Sequence, residues 1–249
     1  RLKTITYENQ SEVSSYQEMA GKLGPILVLQ GRSKGGDGTK IVLGEEDLIQ
    51  VLPNLKGAIR VSEYCNQQYS TVYILTLPVT REECKVYIDI PSYKTTTIPE
   101  LGISNVFGAG GDWTLPYKDF KASQFIERTI SIAHYAYRKF GLIGHWNMEG
   151  FMSPNGFYFN ELNCRPGGGT EVSSVNQVVR NIPPFIVAHN TLFLGGDLSF
   201  MPEPDEFNQG TIREIEKRSQ PGPFYLKVYV NQKFPIRTIQ ESNGSGVYR

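Results

Sequence analysis

Four side chains suited to a hard cation flank a single turn: Asn147 and Glu149 before it, Glu161 and Asn163 after it. Between them lies Pro154-Asn155-Gly156, a hairpin signal. Pro suits the first central position of a type I turn, Asn the second, and Gly the left-handed position that follows. A three-residue loop pairs Ser153 with Phe157. Glu149 then stands opposite Glu161 and Asn147 opposite Asn163, all on one face. Directly opposed side chains have Cβ atoms about 4.5–5.5 Å apart. Two carboxylates at that distance repel unless a cation lies between them, and Mg²⁺ takes such oxygen donors. A two-residue Asn-Gly loop would slip the register by one and undo the pairing. Two readings stay open: a divalent metal site at Glu149, Glu161 and Asn163, or an exposed strand face with two solvated glutamates.

Arg165 lies two residues beyond Asn163 on the same face, where a guanidinium fork suits phosphate oxygens. The alternative is a surface salt bridge to Glu149 or Glu161. A second candidate is the glycine-rich stretch Gly31 to Thr39 between two strands. It is neither a Walker A loop nor a GxGxxG opening a helix. Glycines between strands can fold over phosphates, with Ser33 and Lys34 offering a hydroxyl and a charge. Asp37-Gly38 also reads as an ordinary hairpin turn. Lys85 points at phosphates or is an exposed edge-strand lysine. Lys94 falls in a long loop and would meet a substrate carboxylate. His145 shares the Glu149 face by parity and reads as a satisfied polar histidine; His134 and His189 carry no motif. Cys65, Cys84 and Cys164 lack a neighbouring His or Asp motif for a thiol nucleophile. Trp113 and Trp146 read as core.

The elements that must position these residues are short. Residues 1–22 are polar and helix-compatible. Residues 25–30 and 40–43 form a strand pair around the glycines, and 45–52 a short helix ended by Pro53. Residues 58–63, 71–75 and 84–90 are strands. Residues 91–113 show no clear period and read as a long loop, a class often functional. Residues 117–140 are the best helix, with Gly141 as its C-cap. Strands at 143–151 and 157–163 form the carboxylate hairpin. Residues 172–194 are helical but broken by Pro183-Pro184, 202–222 are a polar linker, and 225–230 with 235–239 a final hairpin. Hairpins interleaved with helices predict an α+β fold.

Composition narrows the function. The 249 residues carry 25 Lys plus Arg against 25 Asp plus Glu, so the net charge is zero. That argues against nucleic-acid binding by bulk charge. Three cysteines without a CxxC make a poor disulfide or zinc framework and point to a reducing, cytoplasmic setting. No apolar run reaches the ~18 residues of a membrane span. Arg1-Leu2-Lys3-Thr4 opens neither as a signal peptide nor with an initiator Met, so a fragment is expected.

Together and in this order, the segments resemble the ATP-grasp superfamily over roughly residues 20–195. Residues 25–30 followed by Ser33-Lys34-Gly35-Gly36-Asp37-Gly38-Thr39 resemble its first strand and phosphate loop. Ile59 to Cys65 resembles the hinge strand that meets adenine, at Glu63, Tyr64 and Cys65. Glu149 with Glu161-Leu162-Asn163-Cys164-Arg165 resembles its acidic residue and Glu-x-Asn-x-Arg signature. Residues 91–101 and 108–112 resemble the middle loop of the family's amino-acid and natural-product ligases.

The resemblance implies ATP between two α+β subdomains with mostly antiparallel sheets. These are 1–75, the small subdomain with the phosphate loop, and 76–200, the large one with the metal and phosphate site. Residues 201–249 are then a linker and hairpin extension. It implies Mg²⁺ on Glu149, Glu161 and Asn163, and Glu161 and Arg165 as catalytic residues. Gln30, Ser33, Lys34, Gly35, Gly36, Glu63, Tyr64, Cys65 and Lys85 would contact the nucleotide. The reaction implied is a carboxylate–amine ligation through an acyl phosphate, yielding ADP and phosphate. An amino acid or peptide would be the carboxylate partner, and a homodimer is the oligomeric expectation. Three departures stand out: Gln30 replaces a strand-end lysine, no ribose-binding glutamate occurs near Gln68-Tyr69-Ser70, and the family's preceding domain would lie upstream of Arg1. The first two keep open a nucleotide-binding module without ligase activity.

Overall fold

A computed structural model describes residues 3–32, 38–65, 68–98, 103–113, 121–153, 156–217 and 224–226. It contains two antiparallel sheets, each backed by helices. The first comprises β1 (Thr4–Tyr7), β2 (Leu27–Gln30), β3 (Thr39–Val42) and β4 (Ile59–Glu63), in the order β1-β4-β2-β3. Alternation on β2 buries Leu27 and Leu29 against Met19 of α1 (Tyr16–Leu23) and Leu48 of α2 (Glu45–Val51). The Ser15 hydroxyl caps α1 by accepting from the Glu18 N–H. The helical expectation for residues 1–22 is corrected at its start. Thr4 to Tyr7 pair with Ile59 to Ser62 as an edge strand, as their β-branched alternation favours.

The second sheet runs β10-β9-β5-β7-β8-β11. Its strands are β5 (Gln68–Pro78), β6 (Cys84–Ile88), β7 (Ser92–Ile98), β8 (Ile103–Asp112), β9 (Gly144–Ser153), β10 (Gly156–Asn163) and β11 (Phe224–Leu226). One edge of β5 is shared: β7 pairs with Ser70 and Thr71, β6 with Ile74 to Pro78. The helix α3 (Ala122–Phe140) buries Phe125, Ile126, Thr129, Ala133, Ala136 and Tyr137, a helical stripe. Gly141 ends it at φ 65°, a left-handed position that favours glycine. Trp113 and Trp146 are fully buried, as expected for core residues.

Two expectations fail here. Residues 91–113 are largely the hairpin β7-β8, with Tyr93 opposite Asp112 and Lys94 opposite Gly111. Glycines at 108, 110 and 111 hide the second strand, because they weaken both alternation and β propensity. The polar segment 202–222 is mostly the helix α6 (Pro204–Lys217), with Phe207, Thr211, Ile212 and Ile215 buried on one face. From α6, Asn208 seals the β6 edge: its Oδ1 accepts from Ile88 N–H at 3.0 Å and its Nδ2 donates to Val86 O at 2.9 Å. Of the predicted final hairpin only Tyr225 and Leu226 lie among the described residues; with Phe224 they form β11, which pairs with β8.

The double proline separates α4 (Thr170–Val179) from α5 (Phe185–Phe193), as predicted. Asp89, wholly buried after β6, ties α4 to the sheet. Its carboxylate accepts from Ser173 Oγ at 2.6 Å, Gln177 Nε2 at 2.9 Å and Arg180 Nη1 at 2.9 Å. Among the described residues no helix is long and apolar enough to cross a membrane.

Candidate functional site

The hairpin β9-β10 opposes Glu149 to Glu161 and Asn147 to Asn163, the predicted pairing, but by a different route. Gly156 pairs with Ser153, so two residues close the turn where three are expected. That register continues to Phe159 opposite Gly150. A β-bulge at Asn160 then adds one residue and returns Glu161 to Glu149. On β5, Thr71 and Tyr73 pair with Glu149 and Asn147, so they share the face, and Lys94 reaches it from β7.

Glu149 is buried; Glu161 and Asn163 are half-buried. The Lys94 ammonium lies 2.5 Å from Glu149 Oε2 and 5.0 Å from the Tyr69 ring centre. Lys94 therefore sits on a strand, not in a loop, and meets the protein's own carboxylate. The Tyr69 phenol is pushed well above its ordinary pKa, by burial first and then by the charges of Glu149 and Glu161. It stays a protonated hydroxyl across the working pH range.

The amides form a relay. Asn163 Nδ2 donates to Asn147 Oδ1 at 3.0 Å and to Glu161 Oε1 at 3.4 Å, and Asn147 Nδ2 donates to Arg165 O at 3.2 Å. With its NH₂ so engaged, Asn163 presents its carbonyl oxygen as the remaining acceptor. Gly167 makes this fit possible, since a Cβ there would lie 2.7 Å from Asn147 Nδ2. Arg165 itself is exposed, with Nη1 donating to Pro166 O at 3.1 Å.

The residues expected at the nucleotide are less uniformly placed. Ser33, Lys34, Gly35 and Gly36 lie outside the described residues. Gln30 accepts from Arg60 Nη2 at 2.5 Å. Glu63 closes onto β1, its Oε1 accepting from Lys3 N–H at 2.9 Å, while its own N–H donates to Lys3 O. The Tyr64 N–H donates to Ile26 O. The Glu63 and Tyr64 N–H groups are thus engaged by the segments flanking β1 and β2. Cys65 follows, half-buried. Lys85 is a correction: it pairs with Glu203 at 3.1 Å, and its strand partner Leu77 is six residues along β5 from Thr71. That is about 20 Å from the carboxylates at ~3.3 Å per residue.

His145 is also corrected. It is buried between Tyr73 and Phe185, and neither ring nitrogen has a hydrogen-bond partner among the described residues. Burial first, then His189, pushes its pKa down to about 4. Cys84 Sγ contacts His134 Nδ1 at 3.3 Å, but burial raises the thiol to about 11, so the pair generates no thiolate at neutral pH.

Tyr69, Arg60, Asn160 and Asp89 carry no spacing signal. Their positions follow from pairings between strands distant in sequence. The donor set fits a hard cation. Among the described residues no three His, Cys, Asp or Glu side chains converge on one point. Two carboxylates and an amide oxygen leave room for water and phosphate oxygens, the arrangement Mg²⁺ prefers and zinc does not.

No protein-family model matches the chain, and no curated protein matches it. Solved structures do. An N5-carboxyaminoimidazole synthetase from Staphylococcus aureus, complexed with ADP, superposes with a TM-score of 0.58 at 15% identity, covering 81% of this chain and 48% of that one. A phosphoribosylamine–glycine ligase from Thermotoga maritima gives 0.57 at 18%, covering 81% and 52%. The biotin carboxylase domain of a Hydrogenobacter thermophilus 2-oxoglutarate carboxylase, with MgADP, ADP and bicarbonate, gives 0.56 at 16%, covering 74% and 40%. The chain therefore has the ATP-grasp fold, in the α+β form with antiparallel sheets. It spans about half the length of these structures or less.

Proposed function

We propose that the chain belongs to an ATP-dependent, ADP-forming ligase that activates a carboxylate for attack by an amine. The observation carrying this reading is the opposed pair Glu149–Glu161 beside Asn163, on a sheet of the ATP-grasp fold. In this reading the first sheet belongs to the small subdomain and the second to the large one, with ATP where they meet; because β5 begins at Gln68, the boundary expected after residue 75 moves upstream of that strand. Glu149, Glu161 and Asn163 would hold Mg²⁺, which when bound neutralises charge on the phosphates and orients them.

The chain's own residues do the remainder. Lys94 pairs with Glu149 and offsets its charge in its buried place. Asn147 and Asn163 orient Glu161. Arg165, exposed beside them, swings its guanidinium onto the transferring phosphoryl oxygens. A substrate carboxylate oxygen attacks the γ-phosphorus as the bond to the ADP oxygen breaks. The amine then attacks the acyl carbon, phosphate leaves, and the amine loses a proton to give the amide. An amino acid or peptide is the proposed carboxylate class, in a cytoplasmic setting.

Thermal unfolding with ATP, with Mg²⁺ and with both tests the site. A ligand at 100 times its Kd adds about 2.7 kcal/mol. We expect that gain with Mg-ATP and its loss in Glu161→Ala, whose unliganded fold stays intact. Hydroxylamine with a panel of amino acids tests the chemistry, expecting a hydroxamate and ADP. Mg-ATP binding without any hydroxamate favours the second reading, a nucleotide-binding module, which rests on Gln30 standing where the resemblance places a lysine.

A further inference from the structure

We propose that Arg60 is a phosphate-binding residue at the junction of the two sheets, held ready by Gln30 and by the bulge residue Asn160. The proposal rests on the ATP-dependent reading above and assigns a contact that the sequence does not mark. Arg60 stands on β4 directly opposite Gln30 on β2. Its Nη2 donates to Gln30 Oε1 at 2.5 Å in its own sheet and to Asn160 Oδ1 at 3.0 Å in the other. Asn160 is itself fixed, because its Nδ2 donates to the Tyr69 hydroxyl at 3.0 Å.

Both partners of Arg60 are neutral amides. Among the described residues no carboxylate lies within ion-pair distance of it. A half-buried guanidinium without a counter-charge is costly, and an anion at the site removes that cost. The two amide oxygens engage a single nitrogen. The other guanidinium N–H groups keep the fork geometry that matches phosphate oxygens.

The neighbourhood selects the anion. Asn160 immediately precedes Glu161, so an anion on Arg60 lies next to the carboxylate pair that repels anions and attracts a cation. A ligand satisfying both carries negative charge and a bound divalent cation together, as a nucleoside polyphosphate with Mg²⁺ does. A simple carboxylate or nucleoside meets only part of that demand. The bulge therefore has two effects: it restores Glu161 to Glu149 and carries the amide that aims Arg60.

Calorimetric titration of the full chain with Mg-ATP and with adenosine tests this, in the unaltered protein, Arg60→Met and Arg60→Lys. We expect Arg60→Met to bind Mg-ATP about tenfold or more weakly, with adenosine affinity unchanged and Arg60→Lys recovering part of the loss. Unchanged Mg-ATP affinity in Arg60→Met overturns the Arg60 assignment and leaves the ATP reading intact. Equal weakening of Mg-ATP and adenosine also overturns it, making Arg60 a tie between sheets and nothing more. Failure of the unaltered chain to bind Mg-ATP overturns both readings. Should Arg60→Met not fold, Arg60→Gln, which can still donate to Asn160, is read by the same criteria.

Discussion

Glu149 draws its charge compensation from Lys94, and both side chains are mostly shielded from water, with 11% and 24% of their surface exposed. Removing the lysine strands a carboxylate beside Glu161. Lys94→Met should therefore destabilise the unliganded protein by about 2–3 kcal/mol, somewhat less than a fully buried pair costs. Mg²⁺ alone should then raise Tm more in the variant than in the parent, because no ammonium competes for Glu149. An equal Mg²⁺ response in the two proteins would count against Glu149 as a cation ligand. The residue types were legible and the opposition of Glu149 to Glu161 was anticipated, but from a three-residue turn; the two-residue turn and the bulge at Asn160 that produce it carry no local signal. Lys94 reads from the sequence as a loop lysine meeting a substrate carboxylate, and not as the partner of Glu149. Its partner depends on β7 lying beside β5, a pairing that the sequence around it does not encode by period.

Between elements, two buried polar groups set the terms. Asp89 fastens α4 to the sheet through Arg180, Ser173 and Gln177. Arg180→Met should cost about 3–5 kcal/mol, read from urea unfolding, since it leaves a wholly buried carboxylate without its cation. His145, where β9 meets α5, acts in the opposite sense. Its folded pKa of about 4 lies below the ordinary 6.5, so between those values the unfolded chain binds more protons. Stability then falls as the pH drops from about 6.5 to 4, by about 3 kcal/mol in all. His145→Phe, in contact with the same aromatic rings, should flatten that stretch of the pH profile; an unchanged slope would assign the acid sensitivity elsewhere. Helices α3 and α5 and most strands could be read from the sequence because apolar period and proline punctuate them. The amphipathic α6 and the glycine-laden β8 could not. One hides its few apolar residues among charges, and the other lacks side chains to alternate.

At the scale of the molecule, the two sheets carry separate hydrophobic cores, one around Leu27, Leu29 and Val61 and one around Ile74, Trp146 and Phe125. Arg60 and Asn160 join them by a hydrogen bond. A nucleotide lodged where they meet should slow amide exchange in both at once. Hydrogen exchange with Mg-ATP should show added protection in Leu27–Val42 and in Gly144–Asn163 together. Protection confined to one sheet would place the nucleotide elsewhere. The fold was legible as a whole because its motifs occur in order along the chain. The contacts across the junction were not, because they join residues a hundred positions apart. The bulge at Asn160 also bears on chain length. The hairpin holds one residue more than its ladder can pair, so loss of Asn160 alone heals the ladder and leaves Glu149 facing Glu161. Loss of Leu162 instead turns Asn163 toward the core. Within this strand, tolerance of a one-residue deletion is therefore confined to the Gly156–Asn160 side of Glu161, and relatives of this chain that differ in length here should differ on that side.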